Sequence, residues 1–362
     1  MSASDSPGAV RAARPSRRQF VADLLGASGL VRPFSRLRHA LARDLVILAY
    51  HRVLDVADED AFDFDLELVS ASRAQFRAQM TLLRERYHPV RFADLAAALA
   101  GGPALPPRAV IVSFDDGYDD NHRFAFPILR ELGVPAMFFV STGHVDSGLP
   151  YAYDWLVHLL LCTRAARLEI AELGVDLELP ASRTARRAIA ADVLDRMKAV
   201  PASVQSAIVE RLGVEWGMPR AQGHPDCRPL SWPQLREMHA GGMEVGSHGM
   251  WHNMLARLAP ADMQAEVAGS RRAIADALGA SCEVISYPVG GVDAYDAAVI
   301  AAARDAGFEL GCSYVSGTNH LPPREPFALR RLPIERHMDA AWFAALVGMP
   351  EAFSYTSRRR IG

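Results

Sequence analysis

Two short stretches carry residue types that could do chemistry together. Asp115-Asp116-Gly117 closes a run of β-formers, Val110–Phe114, and His248 and His252 stand four residues apart after a second such run, Met243–Ser247. Successive side chains on a strand point to opposite faces, so both carboxylates can serve one site only if the strand ends there and Gly117 turns the chain. Taken alone, the same acidic turn also caps an ordinary buried strand. His-x-x-x-His spacing lets two imidazoles reach one ion. Zinc proteases share it but place a glutamate after the first histidine, where this chain has Gly249. Two histidines and one carboxylate leave coordination positions open, which suits a catalytic divalent ion: zinc first, with cobalt, nickel or iron as alternatives. One aspartate would complete the ligand set and the other would stand beside it as a base.

The elements around these stretches alternate. Val46–Tyr50 reads as a fully buried strand ending in His51-Arg52, and Ser72 caps a helix whose apolar positions are Phe76, Met80, Leu83 and Tyr87. A short strand over Pro89–Phe92, a helix over Ala93–Ala100, the strand Val110–Phe114, a helix over Phe124–Leu132 and a strand over Ala136–Val140 follow. Asp119 and Asp120 are placed to cap the helix after the acidic turn. From Ser231 the rhythm resumes with helix Ser231–Ala240, strand Met243–Ser247, helix Pro260–Leu278, strand Val284–Tyr287, helix Ala294–Ala306 and strands Phe308–Ser313 and Ala328–Pro333. This is the pattern of an α/β fold built on a parallel sheet or barrel, whose chemistry lies at the C-terminal ends of the strands. Between Gly143 and Trp232 the rhythm stops. Helices around Trp155–Cys162, Thr184–Ala199 and Ser203–Leu212 precede a proline- and glycine-rich loop, Gly217–Pro229, so residues 146–230 read as a helical insertion that shapes or covers the site.

Composition narrows the function classes. The chain has 362 residues and a formal charge of −3, with no basic excess for binding a phosphate backbone, which excludes nucleic acid as the expected partner. Its four cysteines, 162, 227, 282 and 312, are far apart and fit core thiols in a reducing compartment. No apolar run is long enough to span a bilayer. Residues 1–43 differ from the rest, with eight arginines and one acid, Asp23, between Arg11 and Arg43. A basic amphipathic helix from Pro33, with Phe34, Leu37 and Leu41 on one face, would lie on an anionic membrane surface and gives a cytoplasmic, peripheral expectation. The alternative is export through Ser16-Arg17-Arg18-Gln19-Phe20, which resembles a twin-arginine signal.

The motifs together resemble the polysaccharide deacetylase, or NodB homology, family. Ser113-Phe114-Asp115-Asp116-Gly117 stands for its first motif, Ser247-His248-Gly249-Met250-Trp251-His252 for the second, and Ser286-Tyr287-Pro288-Val289-Gly290 for the third. The resemblance covers residues 45–348 and implies a distorted (β/α) barrel of about seven strands between the basic arm and a C-terminal tail, 349–362. It implies Asp115 as catalytic base, Asp116, His248 and His252 as metal ligands, and a backbone N–H near Tyr287 and Pro288 as oxyanion donor. The implied reaction removes N-acetyl groups from an N-acetylated polysaccharide or oligosaccharide; the alternatives are a non-catalytic glycan-binding or assembly-complex protein and a deacylase of a lipid-linked sugar. Two features depart from the pattern. The third motif has Ser286 where many members carry an arginine, leaving Arg330 and Arg331 as candidates to orient Asp115. The late histidine that supplies the general acid has no counterpart, and His337 reads as a surface residue. The strand end Leu48-Ala49-Tyr50-His51 is similar to the permuted arrangement of poly-N-acetylglucosamine deacetylases, which makes His51 the expected acid.

Overall fold

The computed structural model describes residues 44–354. The basic arm and positions 355–362, with the expectations attached to them, lie outside the described residues.

Seven parallel strands close a barrel: β1 (Asp44–Tyr50), β2 (Ala109–Phe114), β3 (Met137–Val140), β4 (Glu244–Ser247), β5 (Val284–Ser286), β6 (Leu310–Ser316) and β7 (Leu329–Pro333). They follow one another around the ring in chain order, and β1 completes it by pairing with β2 on one edge and β7 on the other. Strands buried on both faces favour apolar side chains on both, which is why β1 reads as an unbroken apolar run from Leu45 to Tyr50. Alternation divides the residues between two cores. Leu45, Ile47, Ile111, Met137, Phe139, Val284, Leu310, Cys312 and Leu329 form one cluster, the inside of the barrel, and Phe92 and Leu95 of the helix Phe92–Leu99 join it at the N-terminal end of the strands. The other strand face packs outward on the helices Arg73–Arg86, Phe126–Leu132, Trp232–Ala240, Pro260–Leu278 and Ala297–Asp305.

The expected elements recur with small shifts at their ends. Two departures are larger. The strand expected over Pro89–Phe92 is only His88–Pro89, because Glu244 accepts from the amides of Phe92 (2.8 Å) and Ala93 (2.9 Å) and starts a helix there. The tail begins later than expected: the chain continues through the helices Ala340–Gly348 and Pro350–Phe353, with Phe353 buried.

The insertion has a core of its own, made of Trp155, Leu156, Leu159, Leu160, Val193, Ile208 and Leu212 among others. Its main helices are Ala152–Cys162, Arg183–Met197 and Ala202–Glu215, and an antiparallel hairpin, Arg167–Ile170 with Val175–Glu178, stands where the sequence showed no strand. Among the described residues no helix is long and apolar enough to cross a membrane.

Candidate active site

The turn after β2 settles how two adjacent carboxylates share one site. Asp115 continues the inward-facing set of Ile111 and Ser113, while Asp116 takes a left-handed backbone (φ 72°) that swings it out of the strand alternation. Gly117 follows at φ 82°, and a Cβ there would come within 2.8 Å of Val140. Four described residues other than glycine have positive φ, and three of them, Asp116, His252 and Val289, belong to this site. Such conformations persist only where the surrounding structure holds them.

Asp116, His248 and His252 converge. Their ligand atoms lie within 4.8 Å of one another, and Asp116 Oδ1 is 3.4 Å from His248 Nε2 and 3.3 Å from His252 Nε2. His248 Nδ1 is 2.7 Å from the carbonyl of Ser286, which can only accept, so this nitrogen carries the proton and donates it. Asp116 Oδ1 is buried and has no hydrogen-bond partner, although Oδ2 accepts from the Tyr153 hydroxyl at 2.9 Å. A buried carboxylate oxygen facing two imidazole nitrogens calls for a cation among them. Donors 2.0–2.1 Å from a tetrahedral ion are about 3.4 Å apart, which is the spacing found. The three residues therefore fit a divalent metal. Burial opposes charge on Asp116, but His51, His248 and His252 outweigh it and hold the carboxyl well below its ordinary range.

The loop that presents the two histidines is fixed by a residue the motifs do not include. Glu266, buried on the helix Pro260–Leu278, accepts from the amides of Met250 (2.6 Å) and Trp251 (3.1 Å) and from Asn253 Nδ2 (2.7 Å). From the other side, Thr142 and Gly143 donate to the carbonyls of Gly249 and Met250. Gly143 lies flat against the Trp251 ring, with only 2.6 Å available to a Cβ.

Asp115 is held differently. Arg331 forks across it, Nη1 to Oδ1 at 2.7 Å and Nη2 to Oδ2 at 2.8 Å, while its Nε donates to the Ser313 carbonyl. Ser286 Oγ accepts from Arg331 and donates to Asp115 Oδ1. Burial would raise the Asp115 carboxyl, but Arg331, with His248 and His51, brings it down to about 2. Arg331 thus occupies the role left vacant in the third motif; Arg330, its neighbour on β7, is exposed. His51, buried at the end of β1, packs edge-on against Tyr314 (5.6 Å) and lines the same cavity as both aspartates. His337 is exposed, as expected.

Two expectations change. The Tyr287 N–H already donates to the Cys312 carbonyl at 3.0 Å, continuing the barrel ladder, and its hydroxyl donates to the Phe327 carbonyl. It walls the cavity, as does Val289, whereas Pro288 is buried behind them beside Gly249. Neither Tyr287 nor Pro288 offers an amide donor, since one N–H is engaged and proline has none. Asp120 likewise does not cap a helix. It is buried and paired with Arg52 Nε at 2.8 Å, and it accepts from the Val53 amide. Arg52 also donates to the Asp226 carbonyl and faces Asp154 of the insertion at 3.7 Å. Asp154 accepts from the Asp65 amide, the Tyr118 hydroxyl and Cys227, and burial lifts it to about 6 against the pull of Arg52. This polar seam joins the insertion to the barrel. Asp119 instead pairs with Arg123 and accepts from Gln234.

The site opens into a cavity of about 730 Å³ whose other walls are Leu66, Leu68 and the insertion helices. The polysaccharide deacetylase family profile matches residues 102–311, more than half of the chain. The chain belongs to this family. It is 35% identical over 103 residues to the poly-β-1,6-N-acetyl-D-glucosamine N-deacetylase of Escherichia coli K12, covering 28% of this chain and 14% of that protein. The Staphylococcus aureus protein of the same description is 31% identical over 106 residues, covering 27% of this chain and 36% of the relative. The chain thus spans well under half the length of these relatives. Among solved structures, the deacetylase PplD of Streptococcus pyogenes aligns with a TM-score of 0.55 at 17% identity, over 82% of this chain and 95% of the other. IcaB from Ammonifex degensii aligns at 0.53 and 20% identity, over 86% and 98%. At these identities the structures show a shared fold, the closed parallel barrel of polysaccharide deacetylases.

Proposed function

We propose that this deacetylase-family chain hydrolyses the N-acetyl group of an acetamido sugar in an N-acetylated polysaccharide or oligosaccharide. The observation that carries the reading is the partnerless Asp116 Oδ1 facing two imidazole nitrogens, beside a second aspartate that Arg331 holds ionised. Asp116, His248 and His252 would hold the ion, and zinc suits two imidazoles and a carboxylate best. When bound, the ion supplies Lewis acidity to the acetamide carbonyl and the attacking water. Asp115 accepts the water's proton. Arg331 and Ser286 keep that carboxylate aimed, and its low basicity suits water that is already acidified. His51 protonates the departing amine as the carbon–nitrogen bond breaks, leaving acetate and a free amino sugar. The names of the curated relatives favour a β-1,6-linked N-acetylglucosamine polymer as substrate. Residues 1–43 would hold the protein at an anionic membrane surface through their arginines.

The deciding experiment is metal analysis of the purified chain coupled to acetate release over a panel of N-acetylated oligosaccharides. About one ion per chain is expected, with acetate release that stops on chelation and returns with zinc. Metal-loaded protein that releases no acetate from any member of the panel would overturn the proposal.

A further inference from the structure

The cavity has two unlike environments. Around the aspartates its walls are polar or aromatic: Tyr153 bonds Asp116 and packs on His252 (5.0 Å), and Tyr314 packs on His51. Toward the insertion it is lined by aliphatic side chains, Leu66, Leu68, Ala188, Ala191, Leu194 and Met197. The helix Arg183–Met197 contributes its positions 184, 187, 188, 190, 191, 194, 195 and 197 to the wall, which together cover about half of its circumference along most of its length. At 1.5 Å per residue that face runs for about 20 Å, further than one acetamido sugar reaches.

The aliphatic branch offers little to sugar hydroxyls. Most of the polar side chains that line it are engaged: Arg187 donates to the backbone carbonyls of Glu59, Phe62 and Phe64, Lys198 pairs with Asp195, Arg220 with Glu210 and Arg336 with Glu59, Gln205 donates to the Val200 carbonyl, and Asp65 accepts from the Glu67 amide. Thr184, Ser203, Ser206 and Glu67 are exposed at its edge toward water. A polar chain entering here would lose its hydration without finding partners, whereas an alkyl or isoprenoid chain would gain by burial. Trp251, one of the most exposed large apolar side chains, lines the same cavity.

We infer that the insertion forms a channel for an aliphatic chain, so that the acetamido sugar is hydrolysed while attached to a lipid carrier. This rests on the deacetylase reading and puts a lipid-linked sugar in place of the free polymer as its substrate. It also orders the reactions, because deacetylation would precede the step that releases the sugar from its carrier.

The test uses the zinc-loaded full chain and calorimetric binding of alkyl glycosides of N-acetylglucosamine, methyl to dodecyl, each below its micelle concentration. In parallel, acetate release is measured from the same compounds and from N-acetylglucosamine oligomers of one to five sugars. Affinity is expected to rise by up to about fourfold per added methylene until the branch is filled, and to change little with added sugars. Affinity that is flat with alkyl length, or that climbs with sugar number, would overturn the inference. Leu194→Asp is expected to bring the ratio of methyl to octyl Kd close to one. Ala191→Phe, which fills the branch with an apolar group, provides the same readout should the charged variant not fold. An unchanged ratio in a folded variant counts against the channel. The two readings separate cleanly. Acetate release without alkyl dependence refutes only the channel, and alkyl-dependent binding without acetate from any compound refutes the deacetylase reading, and with it hydrolysis on the carrier, while leaving the channel.

Discussion

Arg331→Met removes the guanidinium that forks onto Asp115 while keeping an unbranched side chain of comparable reach. The arginine is fully buried and the carboxylate nearly so, so the variant leaves an uncompensated charge inside the barrel. Breaking a buried pair in this way costs about 3–5 kcal/mol, a large share of the roughly 5–15 kcal/mol that keeps a domain folded. The pKa of Asp115 gives a second handle. Holding the carboxyl at about 2 rather than 3.8 contributes about 2.5 kcal/mol at neutral pH, at about 1.4 kcal/mol per pH unit. Because the folded value is depressed, this contribution is present above the unfolded pKa and is lost as pH falls toward 2, with about 1 kcal/mol gone by pH 3. Urea unfolding of wild type and Arg331→Met at pH 7 and pH 3 therefore should show a gap that narrows on acidification. Arg331→Lys should fall between the two, since an ammonium keeps the charge but not the fork. Equal stability of Arg331→Met and wild type at pH 7, or a gap that widens at pH 3, would refute the assignment of Arg331 as the counterion of Asp115.

Asp115→Asn should keep its metal while acetate release falls by at least about a hundredfold; full turnover would remove Asp115 from the base role. His252→Ala should lose bound metal by elemental analysis, and unchanged metal content would break the ligand assignment. Glu266→Ala frees two loop amides from their acceptor and should weaken metal affinity about 10–100-fold in competition with a chelator, although the residue touches no ligand atom. Gly117→Ala should cost at least about 1–3 kcal/mol in unfolding experiments, because it meets both a left-handed backbone and the Val140 side chain. A stable Gly117→Ala variant would show that the turn tolerates relaxation.

The barrel could be read from the sequence because its parallel strands, buried on both faces, are largely written as apolar runs, four of them ending where a glycine, histidine or aspartate follows. The acidic turn and the histidine pair could be read because their residue types and spacing are local. What was hidden depended on side-chain direction and on distant partners. Arg330 and Arg331 are equivalent as residue types, and strand alternation from Leu329 would have chosen Arg331 once the inward register was known. Asp120 resembles a helix cap in every local respect, but a buried arginine 68 positions earlier claims it. Glu266 sits in an otherwise ordinary helix, and no local pattern shows that its carboxylate faces backbone amides 15 and 16 residues away. The Tyr287 amide failed as a donor because the barrel ladder runs one residue past the strand assigned there. The hairpin Arg167–Glu178 is short, half exposed and interrupted by a turn, so its alternation is weak.

The closing of the ring has a consequence in time. β1 is flanked by β2 and β7, so the proposed base, its arginine and the proposed acid come from the second, last and first strands to leave the ribosome. Asp115 and Arg331 are 216 residues apart, and their contact cannot form before the chain has been made through Pro333. A nascent or truncated chain ending before Leu329 would contain Asp116, His248 and His252, yet its base would stand without a counterion inside an open sheet. Hydrolytic competence would therefore arrive in one step with the final strand. Unfinished or clipped copies of the protein would carry Asp115 without the arginine that holds it.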